Sequence, residues 1–192
     1  MEDKIIVMMI ERGIIKEHDR ALYTYGLRTF RHRVVNALVV IAIAIVLHKT
    51  EVVFLILLCM LSLRKYAGGF HESSAIRCFF VSQLMFIMME LTVDVGSANQ
   101  ICYIIATTGS IWGSVMIILK APAGSMNRPL LERQILKYRK LALGFCAGWN
   151  VIMVILHHMM LYKFVFVIAM VLTVQGVLLV IPEKTNATDV MR

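Results

Sequence analysis

Long apolar runs separated by short polar breaks organise this chain. The runs cover residues 34–47, 52–63, 79–93, 101–119, 141–161 and 164–181. Stretches of roughly 15–20 residues almost free of charge predict helices that sit in a bilayer. The first two runs are shorter, and the polar break His48-Lys49-Thr50-Glu51 divides them. At about 1.5 Å per residue neither comfortably crosses roughly 30 Å of hydrocarbon. They are expected to form a short hairpin that thins the bilayer or is partly re-entrant, with both ends on one side. The fold class expected is an all-α polytopic membrane protein. About six membrane-embedded helices form one bundle over residues 34–181, and a polar tail follows at 182–192.

Residues 1–33 have a different pattern. Ile5, Ile6, Met9 and Ile10 recur at helical spacing, and Leu22, Tyr25 and Phe30 do so more loosely among Arg20, Arg28, Arg31 and Arg33. Such a region is amphipathic and interfacial. Two placements fit it: lying on the lipid headgroups, with arginines meeting anionic lipid, or packing on the bundle's own cytoplasmic face. Glu2, Asp3, Lys4, Glu11 and Arg12 interrupt the stretch. It therefore lacks the apolar core of a signal peptide, and insertion is expected to rely on the internal spans.

Composition agrees with the pattern. The chain is 59% hydrophobic, against about 45–50% for a soluble domain. Its formal charge is +8. In a soluble protein that would suggest nucleic-acid binding, but here its distribution reads as topology, and no nucleic-acid partner is expected. With the N-terminus in the cytoplasm, 18 of the 20 lysines and arginines fall on that side, leaving only Lys49 and Lys163 outside. The positive-inside rule then puts both termini in the cytoplasm. The four cysteines, Cys59, Cys78, Cys102 and Cys146, form no CxxC pair. Neither a disulfide framework nor a metal site is indicated, and no cofactor is expected.

Between the second and third runs lies a polar island, residues 64–78. It contains Arg64, Lys65, Gly68, Gly69, His71, Arg77 and Cys78. The charge distribution puts it at the cytoplasmic face. A cysteine attacks as its thiolate, which a neighbouring cation or a helix N-terminus favours. His71 and Cys78 are seven residues apart, about 10.5 Å along one unbroken helix, whereas proton transfer needs heavy atoms roughly 3 Å apart. A helix break is therefore expected between them. Gly68-Gly69 frees the backbone to turn, Ser73 or Ser74 suits an N-cap, and a helix starting near Ala75 places Cys78 in its first turn beside Arg77. Candidates for a third group that orients His71 are Glu72, Gln83, Glu90, Asp94 and Asn127, and the residues do not choose among them.

Two motifs carry a family resemblance. One is Arg64-Lys65-Tyr66-Ala67-Gly68-Gly69-Phe70-His71 with Cys78 seven residues on. The other is Lys120-Ala121-Pro122-Ala123-Gly124-Ser125-Met126-Asn127-Arg128-Pro129-Leu130. Tyr25-Gly26-Leu27 is a third, shorter match. Together with length and span count they resemble the accessory gene regulator B (AgrB) family over essentially the whole chain. The resemblance implies a cysteine endopeptidase of a prokaryotic cell membrane that processes an AgrD-like propeptide for quorum sensing. Cys78 would be the nucleophile and His71 the base, and Arg64 and Gly69 match positions needed for activity. Cleavage before the propeptide's acidic tail would leave an acyl thioester. An internal thiol or hydroxyl would then close it to a thiolactone or lactone, the cyclic autoinducing peptide. Cations at Arg77, Arg128, Arg133, Lys137, Arg139 and Lys140, with Asn127, could draw the acidic tail or serve only to set topology. The resemblance also implies a homodimer.

Small residues recur at helix-packing spacing, Gly109 with Gly113, Ser110 with Ser114 and Gly144 with Gly148. Such pairs suit close helix contact within one chain or between two. The competing functions are a small-peptide transporter and a non-catalytic membrane partner. No inverted repeat supports transport.

Overall fold

The computed structural model describes residues 2–69, 75–123 and 132–181. Over these residues the chain forms seven α-helices: α1 (Glu2–Glu11), α2 (Arg20–Val46), α3 (Thr50–Ala67), α4 (Ala75–Ala98), α5 (Gln100–Lys120), α6 (Glu132–His158) and α7 (Tyr162–Val180). A single 3-10 turn, Glu17–Asp19, leads into α2. The protein is an all-α membrane bundle. Five stretches, 17–46, 76–98, 100–120, 134–158 and 162–180, are long and apolar enough to cross a bilayer. α3 is not among the five, because its 18 residues include Glu51, Arg64 and Lys65.

The helices outrun the apolar segments that announce them. α2 begins at Arg20 and runs through the boundary at 33–34. Its 27 residues reach about 40 Å, more than the hydrocarbon needs. α6 likewise starts nine residues before the apolar run at 141, taking in Lys137, Arg139 and Lys140. Charged side chains are good helix formers, and at a helix end their long stems keep the charge near water. An apolar run therefore marks the embedded part of a helix and not its length.

α7 is the centre of the bundle. Its side chains are buried almost all round, Val165 to Ala169, Val171, Leu172 and Leu179 among them. A helix apolar on every side belongs inside, and α7 packs against α3, α4, α5 and α6. Its closest partner is α5, where glycines make the crossing. A Cβ on Gly113 would overlap the Leu172 carbonyl, and one on Gly176 would press on the Cα of Gly113. Gly109 meets Thr173 on the same face. Gly144 and Gly148 differ: a Cβ on either meets nothing within 4 Å.

The antiparallel run of the helices gives the bundle two unlike ends. At one end the α2–α3, α4–α5 and α6–α7 turns gather. Lys49 Nζ lies 2.8 Å from Asp94 Oδ2, and Lys163 Nζ lies 3.0 Å from Glu51 Oε1. Tyr103 Oη and His157 Nδ1 share a 2.7 Å hydrogen bond there. Asn99 caps α5 by accepting from the N–H groups of Ile101 and Cys102. The opposite end holds the close of α3, the start of α4, the close of α5, the start of α6 and the close of α7.

Candidate active site

The polar island begins in the last turn of α3. Arg64 and Lys65 lie there, where positive charge meets the negative end of the helix dipole. The helix ends at Ala67, and the Gly68 N–H still bonds back to the Arg64 carbonyl at 3.2 Å. Gly68 then takes φ 74°, ψ −145°, and Gly69 takes φ 121°. Both values lie where side-chain-bearing residues are strained.

This turn is clamped from two sides. Gly68 forms a parallel bridge with Ala123, just past the end of α5. The Ala123 N–H donates to the Ala67 carbonyl at 2.9 Å. A Cβ on Gly68 would overlap the Ala123 carbonyl oxygen, and one on Gly69 would press on the Leu178 carbonyl oxygen at 3.1 Å. From α7, Gln175 Nε2 donates to the Gly68 carbonyl at 2.8 Å. The two sequence motifs, 55 residues apart at Gly68 and Ala123, thus meet backbone to backbone. The glycines are what allow it.

Aromatic contacts add the third wall. Tyr66 stacks on Phe145 at 5.4 Å and meets Tyr138 edge-on at 5.7 Å. Lys65 Nζ lies 5.1 Å from the Tyr66 ring centroid. These rings hold the start of α6 against the close of α3, which brings the exposed Lys137, Arg139 and Lys140 to the same end.

Cys78 is the fourth residue of α4, which begins at Ala75, and its free thiol is half-buried. Side chains of a helix tilt toward its N-terminus, so the thiol leans toward the end that holds the double-glycine turn. Arg77 beside it is exposed. α3 and α4 are separate helices, with the close of one and the start of the other at a shared end. His71, Asn127 and Arg128 lie outside the described residues, as does the Arg133 side chain. Glu72 lies outside them too.

The described candidates for a third group lie elsewhere. Gln83 Nε2 donates to Asn36 on α2, at 2.7 Å to Oδ1 and 3.1 Å to the carbonyl. Glu90 is 12 residues beyond Cys78 on the same unbroken helix, about 18 Å away. Asp94 is further still and pairs with Lys49. What the sequence reading missed is Gln175, fully buried and joined to Gly68. The signal was available, since it is the one amide in α7, a helix otherwise almost wholly apolar. Among the described residues no three His, Cys, Asp or Glu side chains cluster as metal ligands.

The family model for Accessory gene regulator B matches residues 2–179. The chain belongs to the AgrB family. It matches no curated protein and no solved structure. AgrB membership makes it a peptidase-like, multi-pass membrane protein. Its role lies in agr quorum-sensing peptide processing, with a propeptide as the substrate of that system.

Proposed function

We propose that the protein is a membrane cysteine endopeptidase that cleaves an AgrD-like propeptide and passes its acyl group on to form a ring. One observation carries the reading. The AgrB match spans both motifs, and the fold locks them together at the bundle end where α4 presents Cys78. In the proposed reaction, His71 takes the Cys78 proton and the thiolate attacks the carbonyl carbon before the propeptide's tail. The C–N bond breaks, the tail leaves as an amine carrying the proton back from His71, and a thioester to Cys78 remains. An internal thiol or hydroxyl of the propeptide then attacks that thioester. His71 takes the proton of that thiol or hydroxyl, the new thiolactone or lactone bond forms as the bond to Cys78 breaks, and the departing Cys78 thiolate recovers the proton from His71. Covalent storage of the acyl group makes ring closure possible without another energy source. Closure beats hydrolysis only where the peptide nucleophile is held close and water is kept out.

The remaining residues have roles in this reading. Gly68 and Gly69 shape the turn, and Arg64 supports it from the last turn of α3. Arg77, Asn127, Arg128, Arg133, Lys137, Arg139 and Lys140 receive the acidic tail. The charge asymmetry supports a site and both termini in the cytoplasm of a prokaryotic cell. Membrane lipid surrounds the bundle, α1 (Glu2–Glu11) lies at its interface, and the active form is a homodimer. Co-expression with the propeptide tests the enzyme. Cys78→Ala and His71→Ala abolish cleavage while membrane insertion stays intact. Persistent cleavage by Cys78→Ala overturns the proposal.

A further inference from the structure

We infer that Gln175 is a positioning residue for the catalytic turn, a deepening that rests on the proposed cysteine-peptidase reading. Three observations along α7 and the turn it faces support it. Gln175 is wholly buried in α7, where a solvated amide has no role. Its Nε2 donates to the Gly68 carbonyl at 2.8 Å, the residue whose backbone also bridges Ala123. The next glycine is set against the backbone of Leu178, one turn further along α7. A donor on α7 therefore fixes the carbonyl of a residue whose own conformation leaves it free to rotate. The chain that leaves this fixed point leads to His71 three residues later and to Cys78 ten residues later. Gln83, Glu90 and Asp94 are committed elsewhere or lie too far from Cys78, whereas Gln175 reaches this turn directly.

The amide is also half used. Its Oε1 is buried and finds no hydrogen-bond partner among the described residues. A buried carbonyl in apolar surroundings seeks a donor. Gln175 thus retains an acceptor beside the turn, available to an N–H group when the site is assembled on its substrate.

The test uses the full-length protein in membranes or detergent with a synthetic AgrD-like propeptide. Two rates are followed by mass spectrometry, acyl transfer to Cys78 and alkylation of Cys78 by iodoacetamide without propeptide. Gln175→Met keeps size and removes the donor. It should slow acylation at saturating propeptide by about tenfold to a hundredfold, since small misplacements of reacting groups cost that much. The propeptide concentration for half-maximal rate should stay unchanged, as should alkylation of the exposed Cys102. Gln175→Asn, with the donor on a shorter arm, should fall between. If Gln175→Met fails to insert, Gln175→Asn carries the test alone. Acylation by the tested variants within about twofold of wild type overturns the inference, and so does an equal loss in Cys78 and Cys102 reactivity. If wild type itself forms no acyl-Cys78, the enzyme reading fails instead.

Discussion

Gly68 and Ala123 lie side by side in a parallel bridge, with the Ala123 N–H on the Ala67 carbonyl. One residue closes α3 and the other follows α5, so a single contact joins the two motifs that carry the family resemblance. Neither motif could show this alone. The bridge fixes where the polar island leaves the bundle, and with it the start of the path to Cys78.

Gly68→Ala should be severe. The new Cβ would overlap the Ala123 carbonyl oxygen, and alanine would be held at φ 74°. Backbone strain of this kind costs about 1–3 kcal/mol before any clash is counted. Gly144→Ala is the control, since its Cβ meets nothing within 4 Å. Thermal unfolding in detergent and a propeptide cleavage assay should show loss for Gly68→Ala and near wild-type behaviour for Gly144→Ala.

Glu90 offers a contrasting outcome. It is fully buried, and neither carboxyl oxygen has a hydrogen-bond partner among the described residues. It also lies about 18 Å along α4 from Cys78. Glu90→Leu should leave cleavage within about twofold of wild type, because the two sites share no contact. Stability should hold or rise by about 1–3 kcal/mol, as an unsatisfied buried group is removed. A large loss of cleavage with a stable fold would show that Glu90 serves the reaction.

The exposed cations on α6 should act through the field they create. Replacing Lys137, Arg139 and Lys140 by Gln should weaken propeptide processing at low salt, through a higher half-saturation concentration. The gap from wild type should narrow as salt is raised, because exposed charges are screened over about 10 Å at 0.1 M. Unchanged processing with intact insertion would leave these residues a topological role only.

The Tyr66 rings give a packing prediction. Tyr66→Ala removes the stack on Phe145 and the edge contact to Tyr138. Each such aromatic pair is worth about 0.5–1.5 kcal/mol beyond its area. The variant should unfold at lower temperature and lose cleavage, while Tyr66→Phe should retain most of both.

What the chain revealed in advance follows from what is local. α5 and α7 were legible to within about two residues because their apolar runs end in turn residues. Their glycines pointed to close packing at Gly109 and Gly113, but the partner Gly176 was not marked by any local pattern. The extents of α2 and α6 were hidden, since Arg20–Arg33 and Glu132–Lys140 continue the helices without being apolar. The break at the double glycine was foreseeable, and Gly68 and Gly69 take φ 74° and 121°; the serines that would cap α4 lie outside the described residues. The clamp on Gly68 was not foreseeable, because it is made by Ala123 and Gln175, residues 55 and 107 positions away. The Lys49–Asp94 pair was hidden for the same reason. It drew Asp94 away from the catalytic candidates.

The most direct measurement is mass spectrometry of the intact protein, trapped soon after mixing with the propeptide. Covalent catalysis by Cys78 predicts an adduct with the mass of the propeptide lacking its tail, mapped to Cys78 and released by hydroxylamine as a thioester is. Cys78→Ala should show no adduct and no cleavage. Tail release by wild type with no Cys78 adduct at any time, or tail release by Cys78→Ala, would contradict it.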